Sequence, residues 1–372
     1  MPGRAETMQT PVPQVILIDA ETQSVLFEKN ADEPAVPAST VKLMTVELVF
    51  QALKEGRLTL DDQFTVSETA WRNGGAPAHG SAMFAAVLSH IRIEDLIRGL
   101  VIVSGNDAAI ALAEGLAGSE GAFATRMTQR ARELGLNHST FTNAWGRGDP
   151  EQTVTARDMV TLAAHLIRTY PEYYHYFGEK EFTWGKIKQP SRNPLLTMDF
   201  GADGLKTGNI EANNFGIVGS ALQNGQRLIL AAYGAKTAKE RAEEARRLFQ
   251  WGFRSFEPRT FFAAGDVVGK AKVYGGSAGD VPLVTPKAVT LLVARDGTEK
   301  LTGSIVYQGP LKAPVAAGQK VAQLKIFRGA TEVLDMPLET AKDVETGTLT
   351  QRALDAGLEY MTAMIRKNLW KK

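Results

Sequence analysis

The chain has 372 residues, 44% of them hydrophobic, with 42 basic side chains against 41 acidic ones. That length and apolar content bury a full core, in about two domains, while the near-zero net charge excludes bulk nucleic-acid binding. There is no cysteine, so no disulfide framework or thiolate metal site; the five histidines form no His-x-x-x-His pair; and no apolar run approaches the roughly 18 residues of a membrane span.

The N-terminal MPGRAETMQTPVPQ has neither the composition of a signal peptide nor a structural period. Gln14–Asp19 and Val25–Lys29 then read as a hairpin around Glu21-Thr22-Gln23-Ser24. Pro34 to Ala38 cannot be helical throughout, but VKLMTVELVFQAL behind it repeats apolar residues at helical spacing (Leu43, Val46, Val49, Phe50, Leu53). Ser39 therefore opens a helix, where free N–H groups favour negative charge, and Lys42, three residues on, shares its face. Residues 40–170 read as mainly helical, broken by a loop from Asn73 to Ser81. Ser104-Gly105-Asn106 falls in a tight connection between the helices IEDLIRGLVIV and AAIALAEGLAG. Leu205 to Ala235 returns to strands, with Lys206-Thr207-Gly208 on the first and an Asn224-Gly225 turn between the next two.

The first domain is thus α/β, helices packed on an antiparallel sheet built from both ends of the segment, closed by Trp251-Gly252-Phe253. Composition shifts near Pro258, and short Val-rich strands over 259–346 read as a small all-β sandwich. Over 347–372, Leu354, Leu358, Met361 and Ile365 fall on one helical stripe that ends in Arg366, Lys367, Trp370, Lys371 and Lys372. No phosphate loop, repeat, metal site or cofactor motif is present.

Three short motifs carry chemistry. A serine hydroxyl is a poor nucleophile unless a base takes its proton, and a lysine is a base only when neutral, through burial or a second cation. Ser39 with Lys42 supplies the pair, Ser104 and Asn106 a polar relay, and Lys206 the second cation. Each motif alone has an ordinary reading as a helix cap, a turn or a strand end. Their order, Ser-x-x-Lys, Ser-x-Asn, Lys-Thr-Gly, resembles that of the penicillin-recognising serine acyl-transferases.

Longer stretches (PASTVKLMT, IEDLIRGLVIVSGNDAAIALAE, ARELGLNHSTFTNAWG, DGLKTGNIEANNFGIVGSA, RRLFQWGFRSFE) resemble the low-molecular-mass penicillin-binding proteins of the D-alanyl-D-alanine carboxypeptidase type, the penicillin-binding protein 5 and 6 group. The resemblance implies a penicillin-binding transpeptidase-like domain over 1–258, a β domain over 259–346 and an amphipathic membrane-anchor helix over 347–372. It implies a peptidoglycan pentapeptide as substrate and β-lactams as covalent inhibitors. No cofactor, metal or nucleic acid is expected. The resemblance also implies a location at the periplasmic face of the bacterial inner membrane, with a secretory signal upstream and Met1 added to a mature form.

By the same resemblance Ser39 is the nucleophile, Lys42 its base, and Ser104, Asn106 and Lys206 complete the catalytic set. Thr207, Gly208 and Asn209 bind substrate, with the N–H groups of Ser39 and Asn209 as the oxyanion hole. Arg241 matches an arginine near the substrate carboxylate, although on its own it reads as an exposed helix residue. The chain departs from the family pattern at Val41, where relatives often carry Thr, and at Asn209 and Ile210, where they often carry His and Thr. Rival readings are a class A-like β-lactamase, a peptidoglycan D,D-endopeptidase and a non-catalytic cell-wall binding protein. A lactamase needs a carboxylate, in a Glu-x-x-Leu-Asn segment on a loop, to activate deacylating water; it also carries Asp where this chain has Gly105 and lacks a C-terminal β domain.

Overall fold

Strands β1 (Gln14–Asp19) and β2 (Val25–Lys29) form the antiparallel hairpin that the sequence predicts. They belong to a computed structural model of the protein that describes residues 8–209, 214–297, 300–329 and 331–353. The chain divides into two units, the first ending at Ser255 and the second starting at Phe256.

Helix α1 (Lys42–Lys54) buries Leu43, Val46, Val49 and Phe50 completely. Truncating Phe50 to Ala would cost about 3–5 kcal/mol through lost transfer energy and the cavity left behind. Ser39 does not cap this helix. It lies in a preceding 3-10 turn, Ala38–Val41, where the Thr40 amide and hydroxyl both donate to the Pro37 carbonyl. In a 3-10 turn residues three apart eclipse, so Lys42 sits directly over Ser39.

After α1, β3 (Gln63–Thr65) pairs with β4 (His90–Arg92), with α2 (Glu68–Gly74) between them. Strands of three residues, paired across so long an insertion, leave no local pattern, and the sequence reading misses them. Helices α3 (Ile93–Val101), α4 (Asn106–Ala117), α5 (Glu120–Glu133) and α6 (Ala156–Thr169) follow, then the short α7 (Pro171–Tyr174). A further unforeseen hairpin, β5 (Glu181–Trp184) and β6 (Ile187–Pro190), turns at Gly185, whose φ of 57° suits a residue without a Cβ.

Strands β7 (Ala202–Asn209), β8 (Phe215–Gln223) and β9 (Gln226–Ala235) complete a five-stranded antiparallel sheet of order β2-β1-β9-β8-β7, so both ends of the segment do build it. Strand β7 lies at one edge. Helix α8 (Ala238–Ser255) ends the unit.

The second unit is all-β as far as Thr340, and residues 349–353 are helical. Strand β10 (Phe256–Phe262) pairs with β13 (Val289–Ala294). Strands β11 (Val267–Tyr274), β12 (Asp280–Val284), β14 (Leu301–Tyr307), β15 (Leu311–Lys312), β16 (Lys320–Arg328) and β17 (Thr331–Thr340) form a six-stranded sheet. Leu291 of the pair and Ala271, Leu283, Leu324 and Leu338 of the sheet share one core. Of the helix expected over 347–372, everything from residue 354 lies outside the described residues, as does Ile210. No described helix is long and apolar enough to cross a membrane.

Candidate active site

Three separate elements bring the motif residues together. The 3-10 turn and α1 present Ser39 and Lys42. The connection from α3 to α4 presents Ser104, held at a left-handed φ of 63°, and Asn106 opens α4. Such backbone costs about 1–3 kcal/mol in a residue other than glycine and persists where the surroundings over-determine it. Edge strand β7 carries Lys206, Thr207 and Gly208. A Cβ at Gly208 would stand 2.7 Å from the Pro37 carbonyl oxygen and 3.1 Å from the Ser39 nitrogen, so glycine here lets the strand close on the nucleophile turn.

Lys42 Nζ lies 3.0 Å from Ser39 Oγ, 2.8 Å from Asn106 Oδ1 and 2.6 Å from the Trp145 carbonyl oxygen. Lys206 Nζ donates to Ser104 Oγ at 2.9 Å and to the Thr207 carbonyl at 3.0 Å, and the Thr207 hydroxyl donates to the Arg192 carbonyl at 3.1 Å. Both lysines are 1% exposed, and neither forms an ion pair among the described residues. Burial first, then the like charge of Lys206, pushes the Lys42 amine well below the usual lysine range; Asp107 pulls the other way. Burial, with Arg241 and Arg192 behind it, pushes Lys206 down to about 7.

The oxygens of Asn106 Oδ1 and Trp145 can only accept. In a neutral Lys42 they claim both N–H groups, which leaves the lone pair facing the Ser39 hydroxyl.

Ser39, Ser104, Asn106, Thr207, Asn209 and Arg241 line one cleft of about 520 Å³. Lys42 and Lys206 lie beneath it, and Gly208 is buried in β7. Arg241 is therefore not the exposed helix residue that its sequence setting suggests. It is 8% exposed, its guanidinium stands 5.8 Å from the Phe215 ring, its Nε has no hydrogen-bond partner among the described residues, and burial lowers it to about 10. The cause is packing: α8 turns this face onto the cleft.

Sequence reasoning misses three contributors. The Trp145 carbonyl acts through backbone, which no side-chain pattern marks; Asn143 Oδ1 holds that loop by accepting from the amides of Trp145, Gly146 and Arg147 at 3.3, 2.8 and 2.9 Å. Arg192 and His79 reach the cleft from loops. The segment Glu133-Leu134-Gly135-Leu136-Asn137 does fit the pattern of a lactamase carboxylate, but Glu133 ends α5, pairs with Arg130 at 3.0 Å and does not line this cleft. No group of three or more His, Cys, Asp or Glu among the described residues could hold a metal ion.

The family model described as D-alanyl-D-alanine carboxypeptidase matches residues 4–237, and that of the penicillin-binding protein 5 C-terminal domain matches 256–346. The chain is 38% identical over 343 residues to D-alanyl-D-alanine carboxypeptidase DacC of Escherichia coli, spanning 91% of this chain and 86% of that one. It is similar to the crystal structure of penicillin binding protein 5 from Haemophilus influenzae, with TM-score 0.80 and 33% identity over 92% of this chain and 100% of that one. It is also similar to cefotaxime-bound penicillin-binding protein D2 of Listeria monocytogenes, with TM-score 0.60 and 28% identity over 67% of this chain and 99% of that one.

Proposed function

The chain belongs to the D-alanyl-D-alanine carboxypeptidase family, and on that premise we propose how its own residues perform the reaction. It is a serine-type carboxypeptidase that removes the terminal D-alanine from peptidoglycan pentapeptides and is acylated by β-lactams. The observation that carries the mechanism is Ser39 Oγ 3.0 Å from a buried, unpaired Lys42 amine whose other neighbours are acceptors.

Neutral Lys42 takes the Ser39 proton as Oγ attacks the carbonyl between the two D-alanines. The amides of Ser39 and Asn209 hold the oxyanion. The Ser104 hydroxyl, oriented by Lys206, gives its proton to the departing D-alanine amine and is reprotonated by the Lys42 ammonium, which returns to its neutral form; Asn106 fixes the Lys42 amine. Thr207 and Arg241 receive the terminal carboxylate, beside a Gly208 that lets the substrate backbone lie against β7. Water then releases the shortened peptide from Ser39.

Residues up to about 258 form the enzymatic domain, 259–346 a β stalk and 347–372 a peripheral anchor on the periplasmic face of the inner membrane. What supports the anchor is its stripe from Leu354 to Ile365 and its basic end, worth about 1 kcal/mol per basic residue near anionic headgroups. Ending the chain before Leu349 is expected to abolish sedimentation with anionic vesicles at low salt and to leave small-peptide activity unchanged. Sedimentation of the shortened protein, or none of the full chain, would contradict the anchor.

The reaction is tested by incubating the protein with a pentapeptide and with a fluorescent penicillin. D-Alanine release and a long-lived label are expected. Rapid lactam turnover without release would make the protein a lactamase, and neither signal would make it a wall-binding protein.

A further inference from the structure

We propose that Asp107, the residue after the Ser-Gly-Asn motif, is a positioning residue that clamps the cleft rim and supplies the buried negative charge opposing the cations around Lys42. The proposal rests on the reading of Lys42 as the base.

Asp107 is fully buried at the start of α4. Its Oδ1 accepts from the amides of Met83 at 2.9 Å and Ala108 at 3.0 Å, and its Oδ2 from the amide of Ala85 at 3.0 Å. Burial raises the carboxyl above its ordinary value, and these backbone donors work against that by favouring the ionised form. Two of them belong to the loop between α2 and β4, which holds His79, Phe84 and Leu88 at left-handed φ of 54°, 66° and 60°. Such a loop keeps its shape only where partners fix it.

The loop bears directly on the site. His79, Gly80 and Ser81 line the cleft, and the Asn106 amide donates to the Ser81 carbonyl at 2.8 Å. A Cβ at Gly105 would stand 2.8 Å from Asp107 Oδ1 and 3.0 Å from the Met83 nitrogen, so the motif itself is seated on this clamp. A second, uncharged tether exists: Gln189 Nε2 donates to the Ala82 carbonyl at 3.0 Å.

The charge acts on Lys42. Lys206 of β7 disfavours its protonated form and Asp107 of α4 favours it, while Ser39, Asn106 and the Trp145 carbonyl are neutral partners. Among the charged groups on other elements packed against α1, Arg130 of α5 and His165 of α6 face Glu47, Arg98 of α3 pairs with Glu94 and Glu179, and Glu120 of α5 accepts from the Ala144 amide. Without Asp107 the amine would shed its proton more easily and become a weaker base for Ser39.

Asp107→Asn and Gln189→Leu separate the two roles. The rate of penicillin acylation is measured against pH, together with kcat and KM for D-alanine release. Removing the carboxylate charge lets Lys42 lose its proton at lower pH. The acid limb of Asp107→Asn should therefore move to lower pH, retaining on the old limb at least about threefold more of its own plateau rate than wild type does. The plateau itself should fall about tenfold as the rim and the base both weaken. Gln189→Leu should lower the plateau and leave the limb in place.

An unmoved limb in Asp107→Asn, or an equal movement in Gln189→Leu, would overturn the proposal. If thermal unfolding shows that Asp107→Asn does not fold, Asp107→Ser, which leaves room for water at the freed amides, gives the same two readings. Failure of the base reading looks different: Lys42→Arg would then keep wild-type acylation.

Discussion

Helix α1 buries two opposite charges little more than a turn apart, and they are treated differently. Lys42, at its start, has only neutral atoms within hydrogen-bond reach. Glu47 is 0% exposed and paired through one oxygen: Arg130 Nη2 lies 3.0 Å from Oε1 and the Tyr170 hydroxyl donates to it at 3.1 Å, while Oε2 has His165 Nε2 at 3.2 Å but no hydrogen-bond partner among the described residues. A matched buried charge fixes the fold around it. An unmatched buried amine loses its proton instead, which turns the cost of burial into basicity that chemistry can use. One helix thus anchors the domain on one side and activates a nucleophile on the other.

Substitutions at the two positions should part sharply. Lys42→Arg puts a permanently charged guanidinium where catalysis needs a neutral amine; acylation should fall by about 10³-fold or more, measured on protein whose cooperative unfolding shows it to be folded. Acylation within about tenfold of wild type would place the base elsewhere. On the carboxylate side of the cleft, amidating the peptide C-terminus, or Arg241→Gln, should lower kcat/KM by about 100-fold through lost charge-assisted hydrogen bonds. An amide substrate cleaved as well as the free acid would indicate an endopeptidase. Glu47→Gln should have the smallest effect on catalysis. It should cost about 2 kcal/mol in a denaturant titration by removing the charge that Arg130 and Tyr170 donate to, Arg130 keeping Glu133, and change kcat/KM by no more than about twofold. A large loss of kcat/KM at full stability would mean that the Glu47 cluster is coupled to the site.

What the sequence made legible follows the same division. The first hairpin, the strands from Ala202 to Ala235 and the motif residues were readable because each rests on local periodicity or on a turn signal. The environment of Arg241 was not, because which side of α8 meets the cleft depends on packing between distant segments. Nor was the 3-10 turn that sets Lys42 over Ser39: it comes from the Pro37 carbonyl taking two donors from Thr40. The Trp145 carbonyl carries no side-chain signature at all.

The central claim is that Ser39 is activated by a neutral Lys42 while Lys206 stays charged. It is tested most directly by following acylation with a penicillin across pH and locating the modified residue by mass spectrometry. The label should sit on Ser39. The rate should rise along an acid limb as Lys42 loses its proton, and fall again above about pH 7, within about a unit, as Lys206 loses the charge that orients Ser104. A label on any other residue, or a rate that stays flat from acid to neutral pH, would contradict this account.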